Sequence, residues 1–412
     1  MRSGVPLKIL FLTANFPPEG NAAASRVYER ACYWVEWGHS VTVLTTAPNF
    51  PAGKLYPGYE NRWYHVSNLD GIRIVRVKSF ISQNRGTLPR LLDFITFMMT
   101  SFIAGIFQSR PDVVVATSPQ IFTAVSGCFL SLVRRVPFVM ELADLWPESV
   151  TKVGLVNENP LTRLAEKLEL FLYRRATVVV ALTEAFKENL VRRAIPEDKI
   201  AVIINGVDLR RYAPRPKNQS LVRDWGLEGR FTIGYLGTHG MAHGLTNVLE
   251  ASSMLPLESG IRFLLVGGGA EKDSLVSEAK DRGLDKVIFI PAQTKDRIQE
   301  YWSLCDVALV HLTDAPILKT VIPSKVFEAM AMGLPLVVVA PEDGEVRKIV
   351  DKGGAGVCVD SGDPAALASV AMELEADPDL MENLSKTSRE LAPKYSRETQ
   401  ATAMINVLES VL

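Results

Sequence analysis

An α/β chain of two successive domains, each built on a mostly parallel sheet, is the fold class this sequence predicts. Three observations carry it. Short apolar runs of strand length alternate with helix-length periodic segments along the whole chain. The 412 residues are too many for one typical domain and suit two of about 200. Glycine-bearing loops follow strands in both halves, at the strand ends where open α/β sheets bind ligands. A hydrophobic content of 47% against 22% charged excludes a disordered chain. Lys and Arg number 23 against 18 Asp and Glu up to Leu209, and 22 against 28 after it. The first half is therefore mildly basic, which suits an anionic membrane or a phosphate-bearing substrate. The four cysteines, Cys32, Cys128, Cys305 and Cys358, lie far apart without metal-ligand spacing. Buried free thiols in a reducing, cytoplasmic compartment are expected. No signal peptide is read at the N-terminus, where the apolar run 7–12 is short and continues into further chain.

The first half opens with a strand over 8–13, a loop over 15–21 and a helix over 22–37 that begins with small residues. A strand over 41–45 completes a βαβ unit. Gly20, Asn21 and the alanines after them let a ligand approach the helix start closely. Arg26, in the first turns, reaches either a phosphate or solvent. No G-x-G-x-x-G pattern supports a dinucleotide site. Residues 48–65 are aromatic-rich and are expected to be irregular, covering either a site or the sheet edge. After a strand over 72–77 comes the apolar stretch 91–107, flanked by Arg85, Arg90 and Arg110. It is short for a membrane span, and its alternatives are a core helix or one lying in a membrane interface. Strands follow over 112–116 and 136–141, with Thr117-Ser118-Pro119 opening a helix between them. Beyond the second strand stand Glu141, Asp144 and Glu148, beside Trp146. Asp144, presented by the loop, is the candidate general base; its alternative role is to cap that loop. Helices over 161–175 and 184–193 alternate with strands over 178–181 and 200–204.

The Pro-rich segment 213–220 is expected to link the halves. A strand over 231–236 runs into the loop Gly237-Thr238-His239-Gly240-Met241-Ala242-His243-Gly244, whose amides can hold a diphosphate, and then into a helix over 245–254. A strand over 261–266 ends in Gly267-Gly268-Gly269, a place for a nucleobase or simply a tight turn. Further strands are expected over 287–291, 307–311, 336–340 and 356–359. Helices are expected over 271–282, 294–305, 346–352, 363–376, 378–391 and 399–412, the last packing back on the first domain. Asp377-Pro378-Asp379 is a cap and turn, not a metal site.

The most informative stretch is 317–335. Ser324 stands where it can cap a short helix, whose free first-turn amides make an anion site. Lys319 and Lys325 flank that start, and Pro323 precedes it. Glu328, just inside the helix, can accept the two vicinal hydroxyls of a ribose.

Four motifs together, NFPPEGNAAASRV at 15–27, DLWPES at 144–149, NGVD at 205–208 and PSKVFEAMAMGLPLV at 323–337, resemble the retaining glycosyltransferases of family 4. The likeness spans essentially the whole chain. It is greatest to the bacterial surface-polysaccharide branch that includes the N-acetyl-L-fucosamine transferases of O-antigen synthesis. The resemblance implies a GT-B fold: two Rossmann-like domains, 1–209 binding acceptor and 210–391 binding the nucleotide sugar, a cleft between them, and residues 392–412 crossing back. It implies a UDP-linked nucleotide-sugar donor, a lipid-linked saccharide acceptor, peripheral contact with the inner face of the cytoplasmic membrane, and neither metal nor other cofactor nor nucleic acid. Carried over by position, Glu328 holds the ribose. The chain departs from the family at Thr320, where another Glu is usual, and in the 237–244 loop, which lacks the usual Arg and Lys. Lys325 and Lys319 then become the candidates to neutralise phosphate. The competing functions are a nucleotide-sugar epimerase of the same fold and a non-catalytic nucleotide-sugar-binding protein.

Overall fold

The computed structural model describes residues 5–81, 87–118, 120–145 and 160–412. Contacts divide the chain into one unit of Met1–Asn205 with Arg397–Leu412 and a second of Gly206–Ser396.

The first unit has an eight-stranded sheet. Its strands are β1 (Lys8–Leu12), β2 (Ser40–Thr46), β3 (Tyr64–Leu69), β4 (Ile72–Val77), β5 (Val113–Thr117), β6 (Phe138–Leu142), β7 (Val178–Ala181) and β8 (Ile200–Val202), in the order β3-β4-β2-β1-β5-β6-β7-β8. All pairings are parallel except β3 with β4. The central strands carry near-continuous Val, Ile and Leu because both faces are covered by helices. Those helices are α1 (Ala22–Glu36), α2 (Thr87–Ile106), α3 (Ile121–Arg134), α4 (Pro160–Arg175), α5 (Glu184–Arg192) and, from the far end of the chain, α14 (Arg397–Ser410). Helix α14 packs on α1: the Trp34 indole donates to the Ala401 carbonyl at 3.0 Å, and Met404, Ile405 and Leu408 join the α1 side of the core. Arg397 pairs with Glu29 at 2.6 Å.

β3 corrects the expectation of irregular structure up to residue 65. Asp70 and Gly71 both take positive φ, the two-residue hairpin turn that an Asp-Gly pair favours. That turn folds β3 back along β4 as an exposed antiparallel edge strand.

Glu141 sits in β6 and is fully buried. Two oxygens of its carboxylate accept from Arg30 at 2.8 Å, and Arg26 lies 3.1 Å away. Burial alone would push this carboxyl up; the Arg30 and Arg26 guanidinium groups more than reverse that and hold it below its usual range. Arg26 is thus neither a solvated charge nor a free phosphate ligand. Among the described residues it is a buried partner of Glu141, with Thr117 at 3.4 Å.

The second unit has a six-stranded, wholly parallel sheet, β11-β10-β9-β12-β13-β14. The strands are β9 (Phe231–Leu236), β10 (Ile261–Val266), β11 (Val287–Ile290), β12 (Val307–His311), β13 (Leu336–Val339) and β14 (Gly356–Val359). Helices α6 (Gln219–Asp224), α7 (Thr246–Met254), α8 (Lys272–Asp281), α9 (Ile298–Trp302), α10 (Lys325–Met332), α11 (Glu345–Gly353), α12 (Pro364–Ala376) and α13 (Pro378–Leu391) surround it. The sequence-expected helix over 294–305 shrinks to the five residues of α9. Asp363 and Asp377 accept from the amides of Ala366 and Leu380, so the Asp-Pro-Asp stretch caps helices as expected.

Replacing Glu141 by Ala leaves two arginines buried without their shared counter-ion. The expected loss is about 3–5 kcal/mol of stability, read by urea unfolding. Because the Glu141 pKa is depressed on folding, its contribution is present above the unfolded carboxyl range and is lost as pH falls through the lower folded value. The difference between wild type and Glu141→Ala should therefore narrow in acid.

Candidate functional site

In the second unit the loops after β9 and β10 are laced together backbone to backbone. The Gly237 amide donates to the Val266 carbonyl, the His239 amide to Gly268, and the Glu271 amide to His239. A side chain at Gly267 would collide with the Gly237 carbonyl, and one at Gly269 with the His239 backbone. These glycines serve first to let two loops approach each other. Lys272 fastens the arrangement by donating to the Gly267 and Ile290 carbonyls at 2.6 and 2.8 Å.

Lys325, the first residue of α10, reaches into this knot. Its amino group lies 3.4 Å from the centre of the Tyr235 ring, beside Gly237. It is buried and has no hydrogen-bond partner among the described residues. A desolvated cation–π contact is worth about 2 kcal/mol, less than an isolated buried ammonium costs. Burial accordingly brings the amine down to about 7, with Glu328 pulling the other way. Three imidazoles stand nearby. His239 is fully buried with both ring nitrogens unpartnered, and burial, Lys272 and Lys325 lower it to about 4. Burial and Lys325 lower His243 to about 4, although its Nδ1 donates to the His311 carbonyl at 3.3 Å. Burial does the same to His311, whose Nε2 meets the Asn247 amide at 2.9 Å. At neutral pH all three are uncharged, and the amine of Lys325 is the group poised to take a proton.

Glu328 lies one turn further along α10, half-buried, accepting from the Trp302 indole at 3.2 Å. Ser324 occupies the position before the helix but makes no side-chain cap. The Val326 and Phe327 amides already donate to the Pro323 and Ser324 carbonyls. The expected cap and open first turn are therefore corrected: a tight turn spends amides that a capped start would have left free. Lys319 points elsewhere. It pairs with Asp343 at 2.9 Å in a pocket also lined by Asp314, Glu342, Asp360 and Ser361.

In the first unit, Asn21 Oδ1 accepts from the Ala24 amide and caps α1. Gly20 is exposed, with open space where a side chain would stand. Asp144 lies just beyond β6, half-buried, and the adjacent Ala143 amide donates to Ser118 Oγ. Trp146, Glu148 and Arg85 lie outside the described residues.

The structure thus brings Lys325, His239 and the glycines 237, 267 and 269 to one place, with Glu328 on the same helix as Lys325. It engages Arg26, Asn21 and Lys319 with protein partners. Sequence reasoning missed Tyr235, Lys272, Trp302 and Glu19. The last accepts from the Asn15 side chain and from the Asn49 and Phe50 amides, pinning one loop to the next. The FTIGYL strand was the available signal for Tyr235, and the motif at 15–27 contained Glu19; nothing local marked Lys272 or Trp302.

Lys325→Met should raise the melting temperature at pH 7. The wild-type penalty is full below about pH 7 and fades as pH climbs toward the ordinary lysine value of 10.5, so the gain should shrink by pH 10. The same variant should bind a nucleoside diphosphate more weakly, which titration calorimetry measures.

Comparison with known proteins places both halves of the chain in glycosyltransferase families. Residues 21–206 match the family model "Glycosyl transferase 4-like domain", and residues 219–391 match "Glycosyl transferases group 1". The chain is 24% identical to the colanic acid biosynthesis glycosyl transferase WcaI of Escherichia coli K12, covering 88% of this chain and 91% of WcaI. It is 26% identical to a GDP-mannose-dependent alpha-mannosyltransferase of Mycobacterium tuberculosis, covering 89% of each. Among solved structures, Anabaena HepE in complex with UDP superposes with a TM-score of 0.72 at 19% identity, over 98% of this chain and 100% of HepE. With a doubly wound parallel sheet in each half and a last helix returned to the first, these matches make the chain a glycosyltransferase of the GT-B superfamily.

Proposed function

We propose that the protein is a retaining transferase of surface-polysaccharide synthesis. It moves a hexose-like sugar, of N-acetylated amino or deoxyamino type, from a UDP-linked donor to a lipid-linked saccharide. The observation that carries this reading is the buried, unpartnered amine of Lys325 at the glycine loops, one helical turn from Glu328. A diphosphate placed there supplies the missing counter-charge and draws the amine to ammonium. Glu328, oriented by Trp302, accepts the ribose hydroxyls. Names of relatives support the rest: WcaI is assigned to colanic acid synthesis, and HepE was crystallised with UDP.

In the proposed reaction the bond from the anomeric carbon to the β-phosphate oxygen breaks, and negative charge grows on the diphosphate. Lys325, the loop amide at Gly240 and the neutral His239 ring stabilise it; the Gly237 and His239 amides are already engaged by backbone carbonyls. The acceptor hydroxyl attacks from the same face, and its proton passes to the departing phosphate oxygen. Asp144 orients that hydroxyl or shares its proton. Lys319, held by Asp343 and turned away from Lys325, takes no part in this step.

The membrane part of the reading rests on α2. Its residues Leu88–Ile106 are long and apolar enough to cross a membrane by length and composition, and 22% of the apolar window is buried. Leu92, Met99, Ile103 and Phe107 are exposed on one side of it, while Phe97, Ser101 and Ala104 face the core. A helix lying in the inner surface of the cytoplasmic membrane fits that division.

Glu328→Ala should weaken donor affinity about tenfold or more in calorimetry, since two ribose hydroxyls lose their acceptor; an unchanged affinity rejects the assignment. Parallel titrations with UDP and GDP decide the base. Asp144→Asn should lower turnover at least a hundredfold with donor affinity retained, measured by mass-spectrometric detection of the glycosylated lipid. Sugar release or isomerisation from donor alone, without lipid product, would instead establish the epimerase.

A further inference from the structure

Three successive helices of the first unit end in paired arginines: Arg134-Arg135 at α3, Arg174-Arg175 at α4 and Arg192-Arg193 at α5. Each helix is the crossover between neighbouring parallel strands, β5 to β6, β6 to β7 and β7 to β8. Their C-termini therefore all return to the amino ends of those strands and stand side by side along one edge. The same edge receives the end of α2, followed by Arg110.

Helix C-termini attract cations through the backbone dipole, which accounts for one arginine at each. In two of the pairs one member has an inward task. Arg134 donates to the Ile106 and Gln108 carbonyls, closing the end of α2, and Arg193 pairs with Glu169. The other member faces out. Arg135, Arg174, Arg175 and Arg192 are exposed, and none has a carboxylate partner among the described residues. Arg175 lies near enough to Lys199 and to Cys128 of α3 for its charge to act on both, so like charges are gathered rather than dispersed. Apolar side chains stand out among them: Phe107, Val133, Phe171 and Val191 are 79%, 55%, 50% and 40% exposed. The carboxylates on this side are few. Glu197 is taken by Lys187, Glu166 by Arg193, and Asp112 by the Lys8 amide; Asp198 stands beside Lys199, and the exposed Glu188 lies one turn before Arg192 on α5.

We propose that this arginine-tipped edge, continuous with the exposed face of α2, is a docking surface selective for anionic phospholipid. Arginines would meet headgroup phosphates while the interleaved apolar side chains enter the acyl boundary. The proposal rests on the membrane-contact reading of α2 and extends it to lipid charge, which α2, being almost uncharged, cannot sense. A basic residue near an anionic surface contributes about fivefold to partitioning.

The test is co-sedimentation of the whole protein with phosphatidylglycerol-containing vesicles and with pure phosphatidylcholine vesicles. Wild type should favour the anionic vesicles at least tenfold, and lose that preference in about 0.5 M salt, where charges are screened within a few Å. The variant Arg135→Ser, Arg174→Ser, Arg175→Ser, Arg192→Ser should lose the preference. The corresponding four Lys substitutions should keep it, which a purely structural role would not ensure. Thermal melts and UDP titration confirm that each variant is folded. Equal binding to both vesicles, no binding to either, an unaffected Ser variant or a folded Lys variant that fails would each overturn the proposal. So would tighter retention on single-stranded RNA than on anionic vesicles. Absence of UDP binding by wild type would instead remove the transferase reading and leave the docking surface standing.

Discussion

A strand cannot lie parallel to its predecessor unless the chain first crosses back over the sheet, and here that crossing is nearly always a helix. Both units are built almost wholly under this constraint. It sorts the molecule into two kinds of edge. At the carboxyl ends of the strands lie the loops and the helix beginnings, with their glycines, Asp144, Lys325 and Glu328. At the amino ends lie the helix ends, which in the first unit carry the arginines. Chemistry and surface charge are separated by topology before any side chain is chosen.

Within the second unit the decisive balance is electrostatic. Burying a lysine without an anion is unfavourable, and a tyrosine ring offsets only part of the cost. The surrounding histidines are neutral, so they neither repel the amine nor satisfy it. Folded proteins carry few unpaired groups of this kind, and each one has a specific cause. The first unit solves the opposite problem with its own residues: Glu141 is buried just as deeply, but two arginines arrive with it, and that part of the core needs nothing from outside.

Much of this was legible in the amino-acid sequence. The alternation of apolar runs and periodic segments predicted most elements to within a few residues, because fully buried parallel strands and two-sided helices leave strong patterns. The PSK stretch pointed to Lys325 and Glu328. What escaped was whatever depends on meetings between distant positions. Arg26 read equally as a phosphate ligand or a solvated charge because its partner Glu141 is contributed by a strand far along the chain. Asn21 is a different case: it looked available to a ligand although the cap its oxygen makes, to the Ala24 amide, is local. Lys325 and Lys319 were both candidates to replace the missing basic residues of the 237–244 loop; that Lys325 alone of the two enters that place, from a helix 88 positions after Gly237 (325 − 237), was not legible. β3 was misjudged despite a local cue, the Asp-Gly turn that ends it, and the helix expected over 294–305 and the cap expected from Ser324 also failed locally.

Helix α14 has a consequence for how the molecule is made. Trp34 and Glu29 wait for Ala401 and Arg397, partners 367 and 368 positions later. A ribosome must therefore translate the whole of the second unit before the first can close its core. The later-made unit is free to mature as soon as it emerges, while the earlier one stays unfinished, with the side of α1 that α14 covers still open to chaperones.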